Sequence, residues 1–307
     1  MTATQVKNRY GLVSRLVNGI LAIKPLADFA KHQARKMMIK RAEKIGVPWR
    51  ENVKQLRSHD WERELAQVQN PNLTYPDYYL CSFHAYEKGN LSLDAALEVE
   101  SAAHAVHATI WGDPEVSGDA KLRQSYHNAL LEKLSVAPQV ILDIGCSVGM
   151  STFALQQLYP QAQVTGLDLS PYYLAVAQYQ TERKNASIKW VHGAAEATGL
   201  PGASFDLVSA CLMFHELPQQ PAKAIFEEAR RLLRPGGYLG IMDMNPQSEV
   251  YRKMPPYILT LLKSTEPYLD QYFSLDIQQA LIDAGFEPPT ISMVTPRHRA
   301  VIARVAS

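Results

Sequence analysis

A chain of 307 residues, 47% apolar and 20% charged, has the make-up of an ordinary globular protein and is long enough to bury a large core. A formal charge of +1 carries no overall basic excess, which argues against nucleic acid as substrate or partner. Three cysteines, Cys81, Cys146 and Cys211, are too few and too dispersed for a disulfide framework or a zinc knuckle. They point to a reducing, cytoplasmic setting, and no metal centre is expected.

The charge is unevenly spread. Residues 1–60 carry thirteen Lys/Arg against four Asp/Glu, whereas the remainder is acidic by eight. Leu12, Val13, Leu16, Val17, Ile20 and Leu21 recur at helical spacing and predict a short amphipathic helix ending before Pro25. The stretch from Leu12 to Ala30 is interrupted by Arg15, Lys24, Pro25 and Asp28, so it does not span a bilayer. A second helix is predicted from Asp28 to Ile45, with Ala30, Ala34, Met37 and Met38 on one side and Lys31, Arg35, Lys40 and Lys44 on another. Residues 10–45 therefore either lie on an anionic membrane surface or pack on the main domain with a solvated basic face.

Residues 71–91 contain two prolines, a Gly89-Asn90 pair and, between 75 and 86, the rings of Tyr75, Tyr78, Tyr79, Phe83, His84 and Tyr86. This composition predicts an irregular aromatic loop. It is either a lid that offers Tyr79, Phe83, His84 and Tyr86 to a substrate or a packing strap. Ser92 is placed to cap a helix whose inner face reads Ala95, Ala96, Val99, Ala103, Val106 and Ile110. Asp119 starts another, with Leu122, Tyr126, Leu130 and Leu134 on one face. Residues 1–118 thus read as a helical extension and lid, and 119–307 as the main domain.

From 140 the pattern alternates short apolar runs with helices, the signature of a parallel sheet with crossover helices. Strands are predicted at 140–144, 163–168, 188–192, 205–210, 238–243, 290–294 and 299–305. Helices are predicted near 150–159, 171–184, 221–233 and 275–284. Ser170-Pro171 reads as a cap followed by a first-turn proline. Residues 245–276, with four prolines, are expected to insert a helix (Tyr257 to Lys263) over the binding edge of the sheet.

The first predicted strand runs into Asp143-Ile-Gly145-Cys146-Ser-Val-Gly149 and then a helix, a turn that aims backbone N–H groups at a ligand. The second ends at Asp168, about twenty residues on, where a carboxylate can accept from both hydroxyls of a ribose. A dinucleotide turn would avoid an acid so close to its pyrophosphate. Asp143 suits a cationic amino-acid group instead.

Residues 140–244 resemble the class I S-adenosylmethionine-dependent methyltransferases, in the broad group that includes quinone and sterol C-methyltransferases. The resemblance rests on Leu-Asp-Ile-Gly-Cys-Ser-Val-Gly, Val-Thr-Gly-Leu-Asp-Leu-Ser-Pro, Leu-Pro-Gly-Ala-Ser-Phe-Asp-Leu-Val and Leu-Leu-Arg-Pro-Gly-Gly-Tyr-Leu, in family order and spacing. It implies an α/β Rossmann-like sheet of seven mostly parallel strands, the last antiparallel, with helices on both faces. It also implies that S-adenosylmethionine is the cofactor. By position, Asp143, Gly145, Cys146 and Gly149 would surround its methionine part, Asp168 its ribose and Leu169 its adenine, with Cys211 at the fourth strand's end. The family's Gly-Asp-Ala-Glu reads Gly193-Ala194-Ala195-Glu196 here, which leaves adenine recognition to Ala195, Glu196 or another group. Ser147 replaces the central glycine of the turn, as a small residue that should fit.

The fourth strand runs into Cys211-Leu-Met-Phe-His215-Glu216, where the fold implied by the resemblance brings the transferring methyl. His215 has the intrinsic proton affinity of a base at neutral pH, and Glu216 can orient it or replace it. Glu266 and Tyr268 of the insertion are further candidates to line the acceptor site. The expected acceptor is a small lipophilic molecule such as an isoprenoid quinone, a chromanol precursor or a related pigment. A nicotinamide-dependent reductase and a non-catalytic scaffold are the alternatives from other classes.

Overall fold

The computed structural model describes residues 24–84 and 86–306; the helix expected at 12–21 lies outside them. Seven strands form one sheet: β1 (Val140–Ile144), β2 (Gln163–Asp168), β3 (Ile188–His192), β4 (Phe205–Cys211), β5 (Leu233–Met244), β6 (Thr290–Met293) and β7 (His298–Arg304). Their spatial order is β3-β2-β1-β4-β5-β7-β6. The first five are parallel, and β7 runs antiparallel to both β5 and β6. β1 lies between β2 and β4, and Ile141, Leu142 and Ile144 are at most 2% exposed. That two-sided burial explains why β1 reads as an uninterrupted apolar run.

The order of strands reverses at β1, so the carboxyl ends of β1 and β4 flank the crevice where an open α/β sheet binds its ligands. Three crossover helices join the parallel strands: Met150–Leu158 (hereafter α6), Pro171–Lys184 (α7) and Gln219–Leu232 (α8). Ser170 caps α7 through its hydroxyl, which accepts from the Tyr173 amide, and Pro171 takes the first turn. β5 begins five residues earlier than the apolar run suggested. Leu233 already pairs with Phe205, and the ladder shifts register before Leu207 meets Tyr238.

Ahead of the sheet come α1 (Lys24–Lys44), α2 (Trp49–Arg57), α3 (Glu62–Val68), α4 (Leu93–His107) and α5 (Gly118–Lys133). They pack against the sheet's own helices: Trp61, Ala95, Ala96 and Leu97 share a core with Val148, Tyr173, Ala175 and Val176. The expected division of α1 into an apolar and a basic side is altered by this packing. Met37 is 65% exposed, and Arg35 is ion-paired with the buried Glu98 of α4. Ser92 stands at the start of α4, but its hydroxyl makes no capping bond. The small-residue stripe of α4 also divides. Ala95 and Ala96 enter the core, whereas Val99, Ala103 and Val106 face a cavity.

The insertion contains α9 (Glu249–Arg252), α10 (Pro256–Thr265) and α11 (Leu269–Ser274), followed by α12 (Ile277–Asp283). No residue of α10 is fully buried. α11, which the residue pattern did not predict, buries Leu269 and Tyr272.

One buried polar cluster locks α4 to α5. Asp119 accepts from His107 Nδ1 at 2.7 Å and from Arg123 Nε at 2.9 Å. Burial by itself would raise the carboxyl's pKa, but Arg123 and His107 hold it well below the usual range. Asp119→Ala leaves the Arg123 guanidinium, only 12% exposed, without its carboxylate partner. It should cost about 3–5 kcal/mol, read as a lower denaturant midpoint at unchanged slope.

Candidate active site

The turn after β1 is shaped by its backbone. Gly145 and Gly149 have φ of 63° and 86°, and a Cβ on either would strike Met213 or Trp190. Ser147, between them, also has positive φ, at 51°, a conformation that costs a non-glycine residue about 1–2 kcal/mol. Its hydroxyl is buried without a hydrogen-bond partner. The residue that was expected merely to fit therefore sits strained, with a polar atom to spare.

Asp168 ends β2 beside this turn. One carboxylate oxygen accepts from the Ser147 amide at 2.7 Å and the other from the Ser170 amide at 2.8 Å. Each oxygen keeps a lone pair for a further donor. Burial raises its pKa to about 6, against the lowering effect of those two amides. Asp143 lies beneath the turn. One oxygen takes the hydroxyls of Ser151 and Thr152 at 2.6 and 2.7 Å, while Oδ1 is buried without a partner. It does not line the cavity, and neither does Gly149.

That cavity, of about 630 Å³, opens along the carboxyl ends of β1, β2 and β4 and continues under α4 and α10. Gly145, Cys146, Asp168, Leu169, Ala195, Glu196 and Cys211 line it, and so do Tyr79, Phe83, His84, Tyr86, His215, Glu216 and Glu266. Tyr268 stands behind this wall, with its hydroxyl donating to the Tyr78 carbonyl at 3.3 Å. Of the groups predicted near the adenine, Glu196 is the informative one. Its Oε1 accepts from Tyr78 at 2.5 Å, and its Oε2 is buried without a partner.

At the β4 end, His215 Nδ1 lies 2.7 Å from Asp243 Oδ1, and the His215 amide donates to Asp243 Oδ2. Burial by itself would lower the ring's pKa, but Asp243 prevails and raises it to about 10. Such a ring can share a proton with a hydroxyl of phenol-like acidity, whose pKa is also about 10. Asp243 was not among the residues predicted from sequence. Its one signal was an acid closing the apolar β5 run beside β4.

Asn90 was also missed, since its sequence neighbours suggest only a turn. It is buried, with Nδ2 donating to Glu216 at 3.0 Å, Oδ1 accepting from Tyr173 and its carbonyl accepting from Ser170. The aromatic loop that ends at Asn90 is thereby fixed to both α7 and the β4 loop. Tyr86 spends its hydroxyl on Glu98 at 2.7 Å, the carboxylate that also receives Arg35. His84 reaches Glu266 at 2.8 Å and Glu216 at 3.5 Å. Three residues predicted separately from three distant segments thus meet in one place.

These positions suit S-adenosylmethionine. Asp168 has lone pairs where a ribose would lie, and Glu196 Oε2 and Ser147 Oγ are polar atoms in want of partners within reach of the same cleft. Residues 141–237 match the methyltransferase-domain family. An uncharacterized methyltransferase of Synechocystis sp. is 31% identical over 164 residues, covering 53% of this chain and 74% of that protein. A ubiquinone biosynthesis O-methyltransferase of Psychrobacter arcticus is 31% identical over 161 residues, or 50% of this chain and 61% of that protein. In fold, the chain is similar to a solved putative O-methyltransferase from Nostoc punctiforme, with TM-score 0.55, 14% identity and coverage of 82% of this chain and 72% of that one. A nicotinamide-dependent reductase is thereby set aside: the chain belongs to the class I S-adenosylmethionine-dependent methyltransferases and uses S-adenosylmethionine as its cofactor.

Proposed function

We propose that this methyltransferase modifies a small lipophilic acceptor of the quinone, chromanol or related isoprenoid type. The observation that carries the reading is the cavity beyond the cofactor end. Its lining includes Val99, Ala103, Leu212, Met244, Ile258 and Leu262, an apolar set interrupted by the polar groups His84, His215, Glu216 and Glu266. The similarity to a ubiquinone biosynthesis O-methyltransferase supports the same class.

In this reading Asp168 holds the ribose hydroxyls, Glu196 and Ala195 the adenine, Leu169 its face, and Gly145 with Cys146 the methionine part. Asp143 keeps the turn in shape from below. The cofactor supplies an electrophilic methyl on a sulfonium. The chain itself has to align the acceptor, keep water out and manage the acceptor's proton. His215 would handle that proton through Nε2, with Asp243 fixing Nδ1. Because that carboxylate keeps the ring largely protonated at neutral pH, only the deprotonated fraction, which grows as pH rises toward about 10, can accept it. Tyr79 and Phe83 would close the cavity from the aromatic loop.

We also propose that acceptors reach the cavity from an anionic membrane surface. α1 exposes Lys36, Lys40 and Lys44, and α10 exposes Ile258 and Leu261, each about 40% accessible. No described helix is long and apolar enough to cross a membrane, so such contact would be peripheral. The test is methyl-labelled S-adenosylmethionine incubated with a lipid extract held in vesicles. Label should enter a lipid-soluble product, faster from anionic than from zwitterionic vesicles. Label found only in water-soluble products would overturn the acceptor class, and equal rates the membrane route.

Two further outcomes are expected. His215→Gln should lower kcat by about 10²–10⁴-fold while the affinity for S-adenosylmethionine stays within a factor of about two, since the ring lies at the acceptor end; unchanged kcat would remove the base. The second concerns pH. Below about 6 Asp168 becomes protonated and loses acceptor capacity for the ribose. The Kd for S-adenosylmethionine should therefore be flat above pH 7 and rise about tenfold per unit well below 6. A flat calorimetric titration series from pH 7.5 to 5 would show that Asp168 does not hold the ribose.

A further inference from the structure

We infer that His84, Glu216 and Glu266 form a binding site for one divalent first-row transition-metal cation at the acceptor end of the cavity. One ligand atom from each residue lies within 4.8 Å of the other two. His84 Nε2 is 2.8 Å from Glu266 Oε1 and 3.5 Å from Glu216 Oε1. Ligands held at about 2.1 Å from a metal stand roughly 3.0 Å apart at octahedral edges and 3.4 Å apart at tetrahedral ones. His84 thus already stands at ligand spacing from both carboxylates, and an ion would draw together the two carboxylates, whose ligand atoms lie within 4.8 Å of each other.

A second observation separates this triad from an ordinary ion-paired cluster. The Glu266 side chain is only 7% exposed, yet its Oε2 is buried with no hydrogen-bond partner. An unsatisfied buried carboxylate oxygen is costly, and a cation held between Oε1 and Oε2, or on Oε2 alone, would satisfy it. The other two ligands are already oriented from behind. Asn90 fixes Glu216 through Oε2 and leaves Oε1 turned toward His84, as outer hydrogen bonds orient metal-bound carboxylates. The His84 backbone is held by its amide, which donates to the Thr265 carbonyl next to Glu266.

The donor set is one imidazole and two carboxylates. It favours zinc, manganese or iron(II) over calcium, which takes six to eight oxygens. On binding, the metal takes the place of the proton that Nε2 shares with Glu266. Three protein ligands leave coordination positions open toward the cavity. The role that follows rests on the acceptor reading above: an oxygen of the acceptor would complete the shell and be held beside His215 in the path of the methyl. Metal binding itself can be measured without any acceptor.

The protein should be stripped with chelator and then titrated with Mn²⁺ and Zn²⁺ at fixed pH, by calorimetry and, for Mn²⁺, by electron paramagnetic resonance. One equivalent should bind, Zn²⁺ more tightly than Mn²⁺ and both more tightly than Mg²⁺. Glu266→Gln keeps the shape of the side chain and should weaken Mn²⁺ binding at least tenfold, and so should His84→Ala, both without loss of the cooperative unfolding transition. If stoichiometric Mn²⁺ fails to bind, or binds equally well to both variants, there is no such site. If Mn²⁺ binds as described but labelled lipid products never form, the metal site stands and the acceptor class falls.

Discussion

Everything in this molecule is arranged around the reversal of strand order at β1. Parallel neighbours on either side carry their connections away in opposite directions, so no crossover covers the ends of β1 and β4. That uncovered edge would expose the turn amides, the Asp168 carboxylate and the His215–Asp243 pair to water. The N-terminal helices, the aromatic loop and the insertion around α10 close it from three sides. Their packing is conditioned by what they cover: α4 gives one face to the core and another to the cavity, and α10, which lends Ile258 and Leu262 to the cavity wall, buries no residue fully.

The polar groups gathered under this cover are held by fixed partners rather than by solvent. Asp168 is caught between two backbone amides, His215 by Asp243, and Glu216 by Asn90. Burial and neighbours compete in every one of them, and the winner differs. Burial prevails at Asp168, whereas at His215 the adjoining carboxylate does. The crevice is therefore not uniformly acidic or basic. It is tuned residue by residue over a few ångströms.

Much of the sheet was legible because its signals are local. β1, β2 and β3 end where the apolar runs end, and Ser170-Pro171 caps the helix it was expected to cap. Ser92 had the same local signature and makes no such bond, because a cap depends on how the chain enters the helix as well as on residue type. Motif spacing also singled out Gly145, Cys146, Asp168, Leu169, Ala195 and Glu196, which line the cavity, along with Asp143 and Gly149, which do not. What could not be read were relations between distant segments. Nothing in the sequence pairs Asp243 with His215 across two strands, or brings His84 to Glu266 across more than 180 residues. Asn90 looked like a turn residue because that is what its immediate neighbours describe, and three partners at least 80 positions away give it a different part.

That position of Asn90 has a kinetic consequence. Through Ser170 and Tyr173 it is tied to the helix that follows Asp168, on the cofactor's side of the crevice. Through Glu216 it is tied to the acceptor's side. The aromatic loop cannot swing outward to exchange an acceptor without loosening contacts on the side where the nucleoside rests. One side chain and its own carbonyl thus join the loop to both walls of the crevice, and in the proposed reading the two ligand compartments would be coupled through it. On that reading the link would favour an ordered arrival and departure of the two ligands over two independent equilibria.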